Sequence, residues 1–269
     1  KDKHWVDDNG TLYFGSIPNV TEKLPNGIYE LNFSDKTGFY LKRISECFTI
    51  EGKIYGVETE FIDRIITANK NISKNFGILL KGLKGTGKTI TAKLICKALN
   101  VPVILINESF TNLGEFINSV DQDIVLFFDE FEKVYNVSHD GEDDYDESGR
   151  VTKKGINSLL TLMDGVFTSE YKRMFLMTTN KVWLPDTLQS RPSRIRYVKE
   201  FTDLDQDNIL LILNDVIENK ELIPQLIQLL GNLEIITVDI VKAIAEEANL
   251  YNTADAQFFS IFNIKKKED

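Results

Sequence analysis

One stretch constrains this chain more than any other: Gly82-Leu83-Lys84-Gly85-Thr86-Gly87-Lys88-Thr89. It fits the pattern G-x-x-x-x-G-K-[ST] at every fixed position. The apolar run Phe76-Gly77-Ile78-Leu79-Leu80 precedes it and reads as a buried strand. Ile90 to Leu99 follows, without Gly or Pro and with apolar residues at helical spacing. A strand, a Gly-rich turn and a helix start together make a phosphate cradle. Glycines let successive backbone N–H groups converge on one concavity, and the positive end of the helix points at the same place. In such a loop Gly82, Gly85, Thr86 and Gly87 shape the cradle. Lys88 reaches the β- and γ-phosphates, and the Thr89 hydroxyl ligates Mg²⁺.

Two further strands carry candidate chemistry. Val101 to Asn107 is apolar throughout, as a buried parallel strand should be, and a short helix is expected from Asn112 to Val120. Then Ile124-Val125-Leu126-Phe127-Phe128 ends in Asp129-Glu130. At the carboxyl end of that strand Asp129 would hold Mg²⁺, and Glu130 could accept a proton from an attacking water. Arg173 to Thr179 is a second apolar strand, ending in Asn180. If it neighbours the strand before the phosphate loop, the Asn180 amide can orient the attacking water. Arg191, Arg194 and Arg196 follow on a short turn with Pro192. In an acidic chain this cluster points to function. An Arg supplied by a neighbouring subunit can stabilise charge on a transferred phosphoryl group.

The rest of the chain is organised around this core. Residues 1–50 contain short strand-like pieces separated by Asn9-Gly10, Pro25-Asn26-Gly27 and Lys36-Thr37-Gly38, and read as a small β-rich module. Residues 51–200 read as an α/β nucleotide-binding core, with an amphipathic helix over 57–75 and another from Val151 to Met163. Ile54-Tyr55-Gly56 is either a plain turn before the first helix or the place where such folds hold the adenine. Residues 201–262 read as a helical lid, and 263–269 as a charged tail containing Lys265-Lys266-Lys267. The aromatic stretch Phe258 to Phe262 would pack on the lid or on a neighbour. The acidic span Asp140, Glu142, Asp143, Asp144, Asp146 and Glu147 is a solvated loop or a contact for a basic partner, and does not fit an EF-hand.

Composition narrows the class. A net charge of −10 argues against a broad nucleic-acid surface. Two cysteines, Cys47 and Cys96, form no disulfide framework, which suits a reducing compartment. No apolar run approaches the ~18 residues of a membrane span, and no signal peptide is visible. The expected location is the cytoplasm. The chain opens at Lys1 rather than Met, which leaves room for an upstream segment.

The motif set, in this order and spacing, resembles the classical AAA branch of the AAA+ ATPases over roughly residues 54–250. Leu159 to Gly165, Met177 to Asn180 and Arg191-Pro192-Ser193-Arg194 look most like the mitochondrial AAA chaperones of the Rieske protein. Composition and the short N-terminal region are similar to small phage-encoded AAA proteins, which would place the chain in host cytoplasm. The resemblance implies a P-loop NTPase core with a parallel sheet, and ATP bound by Gly82 to Thr89. It implies Mg²⁺ and water activation through Asp129 and Glu130, and a sensor role for Asn180. It gives Arg191 and Arg194 as arginines acting in trans within a homo-oligomeric ring, most often a hexamer. A ring-built remodeller or translocator of protein substrates is the leading expectation. A nucleic-acid-linked motor of phage replication or packaging and a nucleotide-gated assembly scaffold are the alternatives. The chain departs from the family where an aromatic pore loop would stand, since only Phe110 or Phe116 is available there.

Overall fold

The structure, a computed structural model, describes residues 4–8, 11–15, 21–110, 112–137, 144–145, 151–164, 170–181, 184, 186–189 and 191–255. Two short strands, β1 (His4–Asp8) and β2 (Thr11–Gly15), pair as an antiparallel hairpin. A second hairpin, β3 (Ile28–Ser34) and β4 (Gly38–Ser45), follows. Helix α1 (Thr59–Asn71) then leads to β5 (Phe76–Gly82), the phosphate loop and α2 (Lys88–Leu99). After β6 (Val103–Leu105) and α3 (Leu113–Asn118) comes β7 (Ile124–Phe128).

Small strands β8 (Tyr135–Asn136), β9 (Asp144–Tyr145) and β10 (Val151–Gly155) form a three-stranded sheet in the order β8-β10-β9. Helix α4 (Ile156–Asp164), strand β11 (Arg173–Thr179), the short α5 (Asp186–Gln189) and β12 (Ile195–Phe201) complete the core. The lid is α6 (Gln206–Val216), α7 (Ile223–Gly231) and α8 (Val238–Tyr251).

The main sheet has seven strands in the order β12-β5-β11-β7-β6-β3-β4. All neighbours are parallel except β3 and β4. Every residue of β7 and β11 is buried, which explains why these segments read as continuous apolar runs. Strand β12, at one edge, alternates instead. Because β11 lies between β5 and β7, the carboxyl ends of three strands meet: the phosphate loop, Asp129-Glu130 and Asn180. Ligands of open α/β sheets bind at such ends. The lid packs around its own core, which includes Ile212, Leu213, Leu226, Val241 and Ile244. Asp205 and Thr237 cap α6 and α8 by accepting from the backbone N–H groups of Asn208 and Ile240.

The structure departs from the sequence reading in three places. Strands β3 and β4 are not a separate module, because β3 pairs in parallel with β6 and extends the core sheet. Leu31 belongs to the same buried cluster as Phe128 and Phe175. The helix expected from Val151 begins only at Ile156, with β10 before it. The β-branched pair Val151-Thr152 and the helix-breaking Gly155 account for that. Asp144, expected in a loop, falls in β9. The acids Asp140, Glu142, Asp143, Asp146 and Glu147, the stretch Phe258 to Phe262 and the lysines 265–267 lie outside the described residues.

If the hairpin is part of the core, Leu31→Ala should destabilise the whole ATPase core by about 2–4 kcal/mol. A urea titration should show the main unfolding midpoint shift. An unchanged core midpoint would mean that the hairpin folds apart from it.

Candidate active site

The phosphate loop owes its path to glycines that no other residue could replace. At Gly82 φ is +148°, and a Cβ there would stand 2.2 Å from the Phe201 carbonyl oxygen. At Gly85 φ is +83°, and a Cβ would meet Thr237 Oγ1 at 3.1 Å and Asp239 Oδ2 at 3.3 Å, both from the lid. Within the loop, Thr86 Oγ1 donates to the Leu83 carbonyl at 2.7 Å, and Lys88 Nζ donates to the same oxygen at 2.6 Å. Lys88 is only 5 % exposed. Burial pulls its pKa below the usual lysine value, and the carboxylates of Glu132, Glu130 and Asp129 partly offset that. An ammonium has three donors, and Lys88 spends one on Leu83. A buried cation with donors to spare, at a helix N-terminus, fits an anionic ligand.

Across the cleft, the buried Thr178 hydroxyl organises the two acids. It donates to Asp129 Oδ1 at 2.6 Å and accepts from the Glu130 N–H at 2.8 Å. Thr89 Oγ1 also donates to Asp129 Oδ1, at 3.0 Å. A hydroxyl beside a carboxylate is an oxygen donor set that suits Mg²⁺. Glu130 has φ +54°, a left-handed conformation uncommon for a residue with a side chain. Its Oε1 accepts from Asn180 Nδ2 at 2.5 Å, and its Oε2 pairs with the Lys133 ammonium. Lys133 is the main reason that the Glu130 carboxyl sits below its usual range, with burial acting the other way. The Asn180 N–H donates to Glu132 Oε1 at 2.9 Å.

These groups share a cleft of about 370 Å³. Gly85, Gly87, Lys88, Thr89, Asp129, Glu130 and Asn180 line it, together with Ile54, Tyr55 and Val57 of the linker and Val238, Asp239 and Lys242 of the lid. Gly82 and Thr86 shape the loop without lining the cleft. Gly56 also stands back from it: its N–H donates to Asn208 Oδ1 of the lid at 3.2 Å, while its neighbours face the cleft.

Neither Arg191 nor Arg194 lines the cleft of its own chain. Arg191 is exposed. Arg194 is 9 % exposed and makes a bidentate pair with Asp164, Nε to Oδ1 and Nη2 to Oδ2 both at 2.6 Å. That pair holds the Asp164 carboxyl below its usual range. The two arginines, equivalent in the sequence, are therefore placed very differently. Phe110 and Phe116 both pack on Phe39 of β4, with ring centroids 5.5 and 5.1 Å apart.

Sequence reasoning gave no role to Thr178, Lys133, Asp239 or Lys242. Thr178 could have been found, since strand alternation puts it on the same face as Asn180. Lys133 stands three residues after Glu130, a spacing that one tight turn brings together. The lid residues arrive through tertiary packing and left no local signal.

A Gly-rich loop at a helix start, opposite an Asp-Glu pair at the end of a parallel strand one place further along the same sheet, defines a P-loop nucleotide-binding site. Residues 78–203 match the family described as "ATPase family associated with various cellular activities (AAA)", which supports a classical AAA-type ATPase domain in this part of the chain. A domain of this family implies ATP binding. It is 32% identical over 164 residues to the peroxisomal ATPase PEX6 of Dictyostelium discoideum, covering 54% of this chain and 13% of the relative. Over 212 residues it is 29% identical to the peroxisomal ATPase PEX6 of Yarrowia lipolytica, covering 70% and 20%. It is 32% identical over 160 residues to the human peroxisomal ATPase PEX1, covering 55% and 12%. The chain thus spans a fifth or less of the length of these relatives. Among the described residues no helix is long and apolar enough to cross a membrane.

The placement of the arginines has a direct consequence. Arg194→Ala should lower stability by about 1–3 kcal/mol, because it removes a charged bidentate contact. Arg191→Ala should leave the thermal midpoint within about 1 °C of wild type, as for exposed sites generally. The reverse ranking in a melting experiment would contradict the placement. The Asp164 pair is intact above the normal carboxylate range, and its contribution fades as pH falls through the depressed Asp164 pKa.

Proposed function

We propose that the chain hydrolyses ATP in a homo-oligomeric ring and uses the cycle to remodel or translocate a protein substrate. The observation that carries this reading is the shared cleft, in which a buried Lys88 faces Asp129 and Glu130 across the phosphate loop. The backbone of Gly85 to Thr89 would bind the phosphates, with Lys88 as counter-charge. Thr89 and Asp129 would hold Mg²⁺, which supplies positive charge to the phosphate oxygens. Glu130 would accept the proton of the attacking water, with Asn180 orienting the carboxylate through its amide.

The ring is supported by an incompleteness of the single chain. Among the described residues, the cations lining the cleft are Lys53, Lys84, Lys88 and Lys242, and none is an arginine. Arg191 is exposed and would serve a neighbour's site, whereas Arg194 is engaged by Asp164 in its own chain. A protein substrate is favoured over nucleic acid by the net charge of −10, which would repel a phosphate backbone. Packing of Phe110 and Phe116 on Phe39 does not favour either of them as a threading side chain. The free thiols of Cys47 and Cys96 suit the cytoplasm.

ATP turnover tests the mechanism. Glu130→Gln should lower kcat by ~10²–10⁴ while ATP still binds. In wild type, specific activity should rise with protein concentration, and Arg191→Ala should stay near zero at all concentrations. Activity that is flat with concentration and indifferent to Arg191 would place the whole site within one chain.

A further inference from the structure

Glu130 carries a contact that a general base does not need. Residues Phe131–Lys133 form a single 3₁₀ turn, closed by the Lys133 N–H donating to the Glu130 carbonyl at 2.7 Å. With three residues per turn, side chains at i and i+3 eclipse. The left-handed backbone at Glu130 starts this turn. The result sets the Lys133 ammonium on Glu130 Oε2, while Asn180 holds Oε1. Lys133 is 71 % exposed at its side chain and Glu130 is 24 % exposed, so the cation covers the carboxylate from the solvent side.

We propose that Lys133 is a latch on the catalytic carboxylate, a positioning residue that holds Glu130 back from water until it is displaced. The inference rests on Glu130 as the base. To take a proton, a carboxylate must turn a lone pair to the water. The ammonium occupies one oxygen and the Asn180 amide the other, so neither is turned freely to water while the pair holds. Asn180 alone would orient Glu130 without neutralising it. Lys133 sits on a long flexible stem whose pairing is easily exchanged. An anion entering the cleft, or an acidic group of a neighbouring subunit, would compete for it and free the base. The contact belongs to the resting protein and slows turnover there.

The size of the effect is bounded. Exposed ion pairs are weak, so release should raise turnover by about two- to fivefold and no more. The measurement is steady-state ATP hydrolysis at protein concentrations where specific activity has levelled off. Four proteins are compared: wild type, Lys133→Met, Lys133→Arg and Glu130→Gln. Lys133→Met keeps the stem and removes the charge; its kcat should rise by about two- to fivefold with KM for ATP unchanged. Lys133→Arg should stay at the wild-type rate. Raising the ionic strength should lift wild type towards Lys133→Met and move that variant less, because salt screens the pair. An unchanged or lower kcat in Lys133→Met overturns the latch. A raised KM with a lowered kcat does too, since Lys133 would then be a ligand of the nucleotide. A slow Glu130→Gln beside an unaltered Lys133→Met defeats the latch alone. A wild-type rate for Glu130→Gln defeats the base assignment as well.

Discussion

The nucleotide end of this molecule depends on one buried hydroxyl. Thr178 stands on β11, between the strand that leads into the phosphate loop and the strand that ends in the two acids. By donating to Asp129 and accepting from the Glu130 backbone, it ties the end of β7 to β11. Glu130 is held at φ +54°, which costs on the order of 1–3 kcal/mol for a residue with a side chain. That strain persists because neighbouring contacts determine the backbone: the Thr178 bond on one side and the tight turn to Lys133 on the other. Two residues along the same strand face, Asn180 then meets Glu130 without any further adjustment.

The lid enters the same site through packing. Tyr55, from the linker before α1, is buried in the lid core and donates its hydroxyl to Asp215 at 2.9 Å. Lys53 and Lys242 lie over its ring at 5.6 and 5.1 Å, and both also line the cleft. Thr237 and Asp239 approach so close to Gly85 that a side chain there would have to displace them. Linker, lid and phosphate loop therefore share a boundary, and all three line the cleft. A lid displacement cannot leave the loop's surroundings unchanged.

What the sequence made legible was local. The phosphate loop, the Asp129-Glu130 strand end and Asn180 are short contiguous patterns whose chemistry follows from strand and helix periodicity. The central strands β5, β7 and β11 were visible for the same reason, being apolar on both faces. Pairing between distant segments was hidden. Nothing local says that β3 would join β6, or that Val151 to Gly155 would be drawn into a small sheet with β8 and β9. Arg191 and Arg194 look alike on a short turn. Only the fold, which brings Asp164 at the end of α4 against Arg194, separates a buried structural arginine from an exposed one.

If Thr178 positions the two acids, Thr178→Val should disable turnover while sparing the fold. The change keeps the shape of the buried side chain and removes the hydroxyl. ATP turnover should fall by about tenfold to a hundredfold, as a small misplacement of reacting groups costs. ATP affinity, measured by equilibrium binding on the same variant, should stay within a few-fold of wild type. Wild-type kcat in a folded Thr178→Val protein would contradict the account, because the two carboxylates would then be placed without the bond that it makes central.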